Sequence, residues 1–391
     1  MMKVVRGFYA VAHSVKLCRP DVICAYPITP QSEIVENIAQ MYANGELGNC
    51  EYITAESEFG AASILVGASA TGARTYTATC SQGLILMSEV LWNAAGMRLP
   101  IVLTIANRSL SAPLSIWNDH QDSMAMRDAG IIQMYVENNQ EVHDMMPQAF
   151  KIAENHKVML PMMVCMDGYK LTHAYEPVDL LNQELVDEFL PPYDPPVKLT
   201  TKEPYTFGSY ATPASYMEFR AAVYNAMERA RKVIEDVYKE WAEISGRDWG
   251  GNIVAEECDD ADVCVMAMGS LVGLVREVVK ELRGEGKKVG FIKIRTFRPF
   301  PADEIAKAVD NAEKVIVFER SLSMGSDAPV TLDVKAAIHK KAIDVYSPVV
   351  GLGGRDVPHN LVKSIIEEVM ENKVEPGMYF RGLKDYEEVI V

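Results

Sequence analysis

Apolar positions in the first 173 residues fall into two alternating kinds of run. Short continuous stretches at 22–25, 52–54, 75–79, 101–106, 131–136 and 162–166 have the length of buried strands. Between several of them, apolar residues recur at spacings of three and four, as in Ile34, Ile38 and Met41, or Leu84, Met87, Val90, Leu91 and Ala94. Strand and helix in alternation predict a mostly parallel sheet with helices on both faces. From Glu176 to Pro213 the periodicity fades, and Pro177, Pro191, Pro192, Pro195, Pro196, Pro204 and Pro213 punctuate the chain. Phe189, Leu190, Tyr193, Tyr205 and Phe207 in that stretch predict an ordered arm wrapping a neighbour, with a flexible linker as the alternative. Residues 214–245 then predict one long amphipathic helix, with Phe219, Val223, Ala226, Ala230, Val233, Val237, Trp241 and Ile244 on one stripe and Gly246 as its stop. A second α/β section starts near Asp260. It predicts strands at 263–268, 289–294 and 315–318 and helices at 271–282, 302–309, 331–337 and 360–370, followed by a short mixed tail.

Composition narrows the classes. A chain of 391 residues, 49% hydrophobic and 24% charged, reads as a soluble protein of two domains. Its apolar runs are far shorter than the roughly 18 residues of a membrane span. The start, Met1-Met2-Lys3-Val4-Val5-Arg6, carries no apolar signal core, so a cytoplasmic location is expected. The formal charge of −16 argues against nucleic acid and anionic membranes as partners. A strongly acidic electron carrier would not be steered to such a surface, so any such docking is expected elsewhere. The seven cysteines, Cys18, Cys24, Cys50, Cys80, Cys165, Cys258 and Cys264, contain no Cys-x-x-Cys pair, which excludes the usual iron–sulfur and zinc spacings within this chain. They read as buried small hydrophobes, and the 21 methionines as adaptable core packing.

The candidate chemistry sits where strands end. Tyr26-Pro27-Ile28-Thr29-Pro30 follows the first run and precedes a helical pattern, predicting Thr29 as N-cap and Pro30 as first helical residue. Ala55-Glu56-Ser57-Glu58-Phe59-Gly60-Ala61 and Ala106-Asn107-Arg108-Ser109-Leu110 are two more such switches. Ligands of open α/β sheets bind beyond the carboxyl ends of the strands, and these three ends offer a hydroxyl, a carboxylate and a guanidinium. Each residue also has a plain structural use. Thr29 suits a cap. Glu58, or equally Glu56, suits the dipole of a helix start. Arg108 suits an ion pair with Asp119 or Asp122. Asp119, His120 and Asp122 read as a polar loop rather than a metal site, because no fourth ligand is in view. Thr79-Cys80-Ser81-Gln82-Gly83 reads as turn chemistry with at most a supporting role, and so do the glycines around 269–273 and 351–354.

Taken together, the three segments resemble the α subunits of the four-subunit pyruvate:ferredoxin oxidoreductases, members of the 2-oxoacid:ferredoxin oxidoreductase family that use thiamine diphosphate. The resemblance is closest over residues 20–173 and continues over 255–355 through Ile292-Lys293-Ile294-Arg295-Thr296-Phe297-Arg298-Pro299-Phe300. It implies two three-layer α/β domains: a pyrimidine-type thiamine-diphosphate-binding domain over 1–173 and a transketolase C-terminal-like domain over 255–391. The proline-rich arm and long helix, 174–254, lie between them. The family motif Ser-Glu-x-Gly-Ala falls on Ser57 to Ala61 and so gives Glu58 the catalytic contact with the pyrimidine ring nitrogen. Pro27 and Ile28 would border the cofactor, while Thr29 and Arg108 would bind the 2-oxoacid.

A diphosphate needs a divalent cation with oxygen ligands. In the family a Gly-Asp-Gly with a later Asn supplies them, and this chain has no Gly-Asp-Gly; Asp167-Gly168 is incomplete. The resemblance therefore implies β, γ and δ partner subunits that hold Mg2+ and [4Fe-4S] clusters. Coenzyme A would be the co-substrate and pyruvate the substrate. Two alternatives remain at this level: a sibling acting on a branched-chain 2-oxoacid, 2-oxoglutarate or oxalate, or a non-catalytic scaffold.

Overall fold

The computed structural model describes residues 1–202 and 204–384. The strands in chain order are β1 (Met2–Arg6), β2 (Val22–Ala25), β3 (Glu51–Thr54), β4 (Thr75–Thr79), β5 (Val102–Asn107), β6 (Ile132–Tyr135), β7 (Met162–Asp167) and β8 (Tyr175–Asp179). They continue as β9 (Ile253–Glu256), β10 (Val263–Ala267), β11 (Val289–Ile294), β12 (Thr296–Arg298), β13 (Lys314–Val317), β14 (Asp344–Val349) and β15 (Gly377–Phe380). The chain forms two compact units. The first comprises Met1–Val254, Met268–Ser270 and Ile294–Pro301; the second comprises Ala255–Ala267, Leu271–Lys293 and the described residues from Ala302 onward.

A seven-stranded sheet of order β12-β6-β7-β5-β4-β2-β3 organises the first unit. Every pairing in it is parallel except that of β12 with β6. The central strands β4, β5 and β7 are buried along their whole length, which is why their sequences run nearly continuously apolar or threonine-rich instead of alternating. Edge strand β3 has no fully buried residue: Glu51 and Thr54 are exposed, and Tyr52 and Ile53 are half-buried. Chain order steps from β2 out to β3, then back across β2 to β4. The sheet therefore reverses direction between β2 and β4, and the ends of those strands flank a crevice suited to a ligand.

Several expected elements form with small shifts, and others differ for physical reasons. The helix after β2 spans Ser32–Ala43, later than expected. Thr29 is not its N-cap; Gln31 holds that place with no side-chain cap, and Thr29 and Pro30 lie in a turn before it. The pattern from Leu84 to Ala94 is split at buried Met87 into helices Ser81–Leu86 and Ser88–Gly96. The long helix spans Tyr216–Ser245 and ends on Gly246 at φ 69°, the left-handed stop that only glycine adopts freely. Its buried stripe starts at Val223, while Tyr216, Met217 and Phe219 stand exposed. The stretch before that helix is not featureless. β8 pairs antiparallel with β1 into a two-stranded ribbon, and a helix covers Gln183–Phe189. Beyond it the chain is tied to its own unit, Pro191 by Arg74 at 2.7 Å, Asp194 by His156 at 3.0 Å, and Leu199 by Ala70 at 2.8 Å.

The second unit holds a six-stranded sheet of order β15-β14-β13-β10-β11-β9. Helices Leu271–Gly284, Ala302–Ala308, Pro329–Ala337 and His359–Met370 accompany it. Val263, Val265, Val275, Phe291, Ile316, Tyr346 and Ile366 belong to its core. Strand β14 has no counterpart among the expected elements, because Pro348 interrupts its apolar pattern; the proline is accommodated within the β14–β15 pairing. Among the described residues no helix is long and apolar enough to cross a membrane.

Candidate functional site

The strand ends of the first unit bring Thr29 and Arg108 together. Arg108 follows β5 and is only 6% exposed. Its Nη1 donates to the Thr29 carbonyl at 2.8 Å and its Nε to the Ser115 carbonyl at 2.9 Å. The expected ion pair with Asp119 or Asp122 does not form. Asp119 bonds the backbone and side chain of Gln121, and Asp122 takes the Arg108 backbone N–H, not its guanidinium. Thr29 is exposed, with its hydroxyl free of any capping duty. Its turn is held from within by Gln31, which is fully buried. The Gln31 amide accepts from Ile28 N at 3.1 Å and donates to the Ala78 carbonyl on β4 at 2.8 Å. Pro27 is exposed and Ile28 half-buried in this turn. Gly168, just after β7, leaves room for Pro30: a Cβ there would meet Pro30 Cγ and the Asn107 carbonyl, each at 2.6 Å.

Glu58 opens helix Glu58–Ala70 behind β3, with Ser57 as a working N-cap whose hydroxyl accepts from Gly60 N at 3.1 Å. Glu58 is 6% exposed, whereas Glu56 is exposed and accepts a bond from the Ser57 hydroxyl. Burial thus separates two carboxylates that sequence spacing leaves equal. The Glu58 carboxylate reaches the helix after β4, where a Cβ on Gly83 would lie 2.5 Å from its Oε1. The small residues Ala61 and Ala62 of its helix are buried beside it in sequence.

Asp122 links these pieces. It is fully buried and accepts four hydrogen bonds, from Ser81 N, Asn107 Nδ2, Arg108 N and Ser123 N, all at 2.8–3.0 Å. Burial pushes its carboxyl up to about 6 even though the bonds from Ser81, Asn107 and Arg108 pull the other way. Ser81 sits at φ 50°, a costly conformation for a serine; its backbone bond to Asp122 and its hydroxyl bond to the Ser109 carbonyl at 2.6 Å keep it there. Cys80 completes the segment, with Sγ 3.3 Å from the Thr29 carbonyl and a thiol pushed up by burial. Asp119, His120 and Asp122 point to different partners; His120 pairs with Asp167 at 2.7 Å, and the Ser270 backbone donates to the same carboxylate at 3.0 Å. Sequence reasoning missed Gln31 and the role of Asp122 as a hub, and it read Gly83 and Gly168 without the close approaches they permit. The one signal was position: Gly168 directly follows β7, and Gly83 lies in the first turn of the helix after β4.

Comparison with known proteins then places the chain among relatives. A family model described as pyruvate flavodoxin/ferredoxin oxidoreductase, thiamine diphosphate-binding, matches residues 13–239. One described as pyruvate:ferredoxin oxidoreductase core domain II matches residues 261–362. Pyruvate synthase subunit PorA of Methanosarcina barkeri is 52% identical over 370 residues, covering 94% of this chain and 92% of its own. The PorA subunit of Methanocaldococcus jannaschii is 48% identical over 387 residues, 98% of each chain. Ketoisovalerate oxidoreductase subunit VorA of Pyrococcus abyssi is 46% identical over 387 residues, 98% of this chain and 97% of its own. Among solved structures, the 2-oxoglutarate:ferredoxin oxidoreductase of Magnetococcus marinus, with 2-oxoglutarate, coenzyme A and succinyl-CoA bound, superposes with a TM-score of 0.72 at 21% identity. That likeness concerns the fold; it covers 94% of this chain and 65% of the neighbour's.

Proposed function

The chain belongs to the pyruvate flavodoxin/ferredoxin oxidoreductase family, and we propose that it is the α subunit of a pyruvate synthase. The complex oxidatively decarboxylates pyruvate to acetyl-CoA and carbon dioxide and reduces ferredoxin, reversibly. The α chain contributes the pyrimidine half of the thiamine diphosphate site and the groups that seat the substrate. It works in the cytoplasm with β, γ and δ partners, which supply Mg2+ and the [4Fe-4S] clusters, and ferredoxin docks on those partners.

One juxtaposition carries this reading. Arg108, without a carboxylate partner among the described residues, holds the Thr29 carbonyl, and the Cys80–Gly83 segment touches both that pair and Glu58. The residues fit an aminopyrimidine ring. Glu58 is buried, makes no hydrogen bond or ion pair with the described residues, and lies against a Cα that bears no side chain. Thiamine diphosphate, when bound, supplies the nucleophilic carbon and the electron sink for decarboxylation. The protein's part is orientation and proton placement. Glu58 exchanges a proton with the pyrimidine ring nitrogen. Arg108 grips the substrate carboxylate with its planar fork, and the Thr29 hydroxyl donates to the 2-oxoacid. Gln31 and Asp122 hold Thr29 and Arg108 in place through the backbone.

A sibling specificity has one observation in its favour, the 46% identity to a ketoisovalerate oxidoreductase subunit. Assay of the assembled complex with pyruvate and with 2-oxoisovalerate separates the two. The central test is hydrogen–deuterium exchange at the thiazolium carbon in complexes carrying Glu58→Gln or Glu56→Gln. General acid–base assistance is worth ~10²–10⁴-fold, so Glu58→Gln should slow exchange by at least about a hundredfold on that scale. Glu56→Gln should stay near wild type. Slow exchange in the Glu56 variant alone would move the role to the other carboxylate.

A further inference from the structure

Thr79 ends β4, fully buried, and its hydroxyl has no hydrogen-bond partner among the described residues. A buried hydroxyl left unbonded bears its full desolvation cost, so such a group in a functional crevice calls for an acceptor. The Glu58 carboxylate lies near it. Glu58 Oε1 and Thr79 Oγ1 converge on one point, 2.5 and 2.6 Å from where a Cβ on residue 83 would stand.

Gly83 is not explained by its backbone. It lies inside helix Ser81–Leu86 and is absent from the residues of positive φ. Glycine weakens a helix interior relative to alanine, so the position is locally unfavourable. What demands glycine is the pair of side chains that fill the space above its Cα. Any Cβ would displace both the Glu58 carboxylate and the Thr79 hydroxyl.

Building on the function argued above, we propose that Thr79 is a positioning residue for Glu58. Its hydroxyl donates to one carboxylate oxygen when Glu58 engages the pyrimidine ring, and Gly83 keeps open the space in which the two meet. With one oxygen held, the other is left for the ring nitrogen. The β-branched side chain of threonine has restricted χ1 freedom, so the donor is aimed before the cofactor arrives.

The test uses the assembled complex with Thr79→Val, Thr79→Ser and Gly83→Ala, and Glu58→Gln as reference. Exchange at the thiazolium carbon and cofactor affinity by calorimetry with Mg2+ are read together with thermal unfolding. Valine keeps the shape and loses the donor; serine keeps the donor and loses a methyl. A positioning role makes Thr79→Val slow exchange by about tenfold or more, the scale of one hydrogen bond to a charged group, with unfolding unchanged. Thr79→Ser then stays near wild type in exchange. Gly83→Ala weakens cofactor binding by a similar factor. A packing role gives the reverse order, with valine like wild type and serine impaired, and that order overturns the proposal. If the valine variant does not assemble, the serine variant decides: exchange near the wild-type rate supports the role, and exchange as slow as in Glu58→Gln removes it. Wild-type exchange in Thr79→Val beside slow exchange in Glu58→Gln defeats the positioning role alone. Wild-type exchange in Glu58→Gln defeats the assignment beneath it.

Discussion

The Arg108 guanidinium reaches two carbonyl oxygens and pairs with no carboxylate among the described residues. If that charge grips the substrate, Arg108→Lys replaces a planar fork with a point charge. KM for pyruvate should rise and turnover should fall, each by about tenfold or more on the scale of a charge-assisted bond, with cofactor affinity near normal. Unchanged steady-state kinetics in the assembled complex would remove Arg108 from the site. Asp122 offers a sharper test of the scaffold behind it. Its two oxygens each accept two N–H groups, and an amide at that position would turn an NH2 toward one pair of donors. Asp122→Asn should cost about 3 kcal/mol or more, since bonds to charged groups are worth ~1.5–3 kcal/mol each. It should weaken pyruvate binding through Arg108, as chemical denaturation and KM together would reveal. Glu58 and Arg108 were legible as candidates because strand ends are where ligands bind. The choice of Glu58 over Glu56 rests on a motif; the structure adds that Glu58 is buried and Glu56 exposed. The segment Thr79–Gly83 was legible only as a strand-to-helix turn with a supporting role; the closeness of Gly83 to a carboxylate 25 positions away is something no local spacing reports.

At the scale of elements, the strands that carry the site read clearly from sequence because burial on both faces makes a parallel strand a continuous apolar run. The Thr29 turn did not. A Thr-Pro pair before a helical pattern imitates a cap, yet the side chain that organises the turn is Gln31, whose partner lies on β4. The exposed strand β1 was missed because its pairing with β8 is non-local and its face is wet. The second unit has a comparable buried feature behind β13. Glu319 is fully buried and accepts from Thr331 N at 2.6 Å and the Thr331 hydroxyl at 2.8 Å, and burial still pushes its carboxyl up to about 7. A folded value above the unfolded one means that the folded state binds more protons between the two. That contribution is fully present below about 4.5 and is lost as pH rises to about 7, up to about 3 kcal/mol at ~1.4 kcal/mol per unit. Glu319→Gln removes the titration. Its stability relative to wild type should therefore grow from pH 5 to pH 8 in urea denaturation of the full chain. A difference that stays flat across that range would sink the assignment of this carboxylate as the titrating group.

On the proposed assignment, the whole molecule carries only part of a catalytic site. Its sequence has no Gly-Asp-Gly, its seven cysteines are each buried without a Cys-x-x-Cys spacing, and no group of three potential metal ligands comes together among the described residues. In the proposed role Glu58 meets only the ring end of thiamine diphosphate, and most of that cofactor's charge is at the other end. A diphosphate binds tightly through a divalent cation and oxygen ligands, and the net charge of −16 gives the isolated chain no general attraction for an anion. Ring contacts alone must then supply the affinity. The purified chain should accordingly bind thiamine diphosphate with Mg2+ more weakly than about 1 μM, or ~8 kcal/mol, and should oxidise no pyruvate. Adding a partner chain that carries the diphosphate-binding motif should restore tight binding, and Glu58→Gln should weaken it in the reconstituted complex. Calorimetry on the isolated chain is the deciding measurement. Binding tighter than the micromolar range would mean that this polypeptide holds the diphosphate as well, and the division of the site between chains would have to be redrawn.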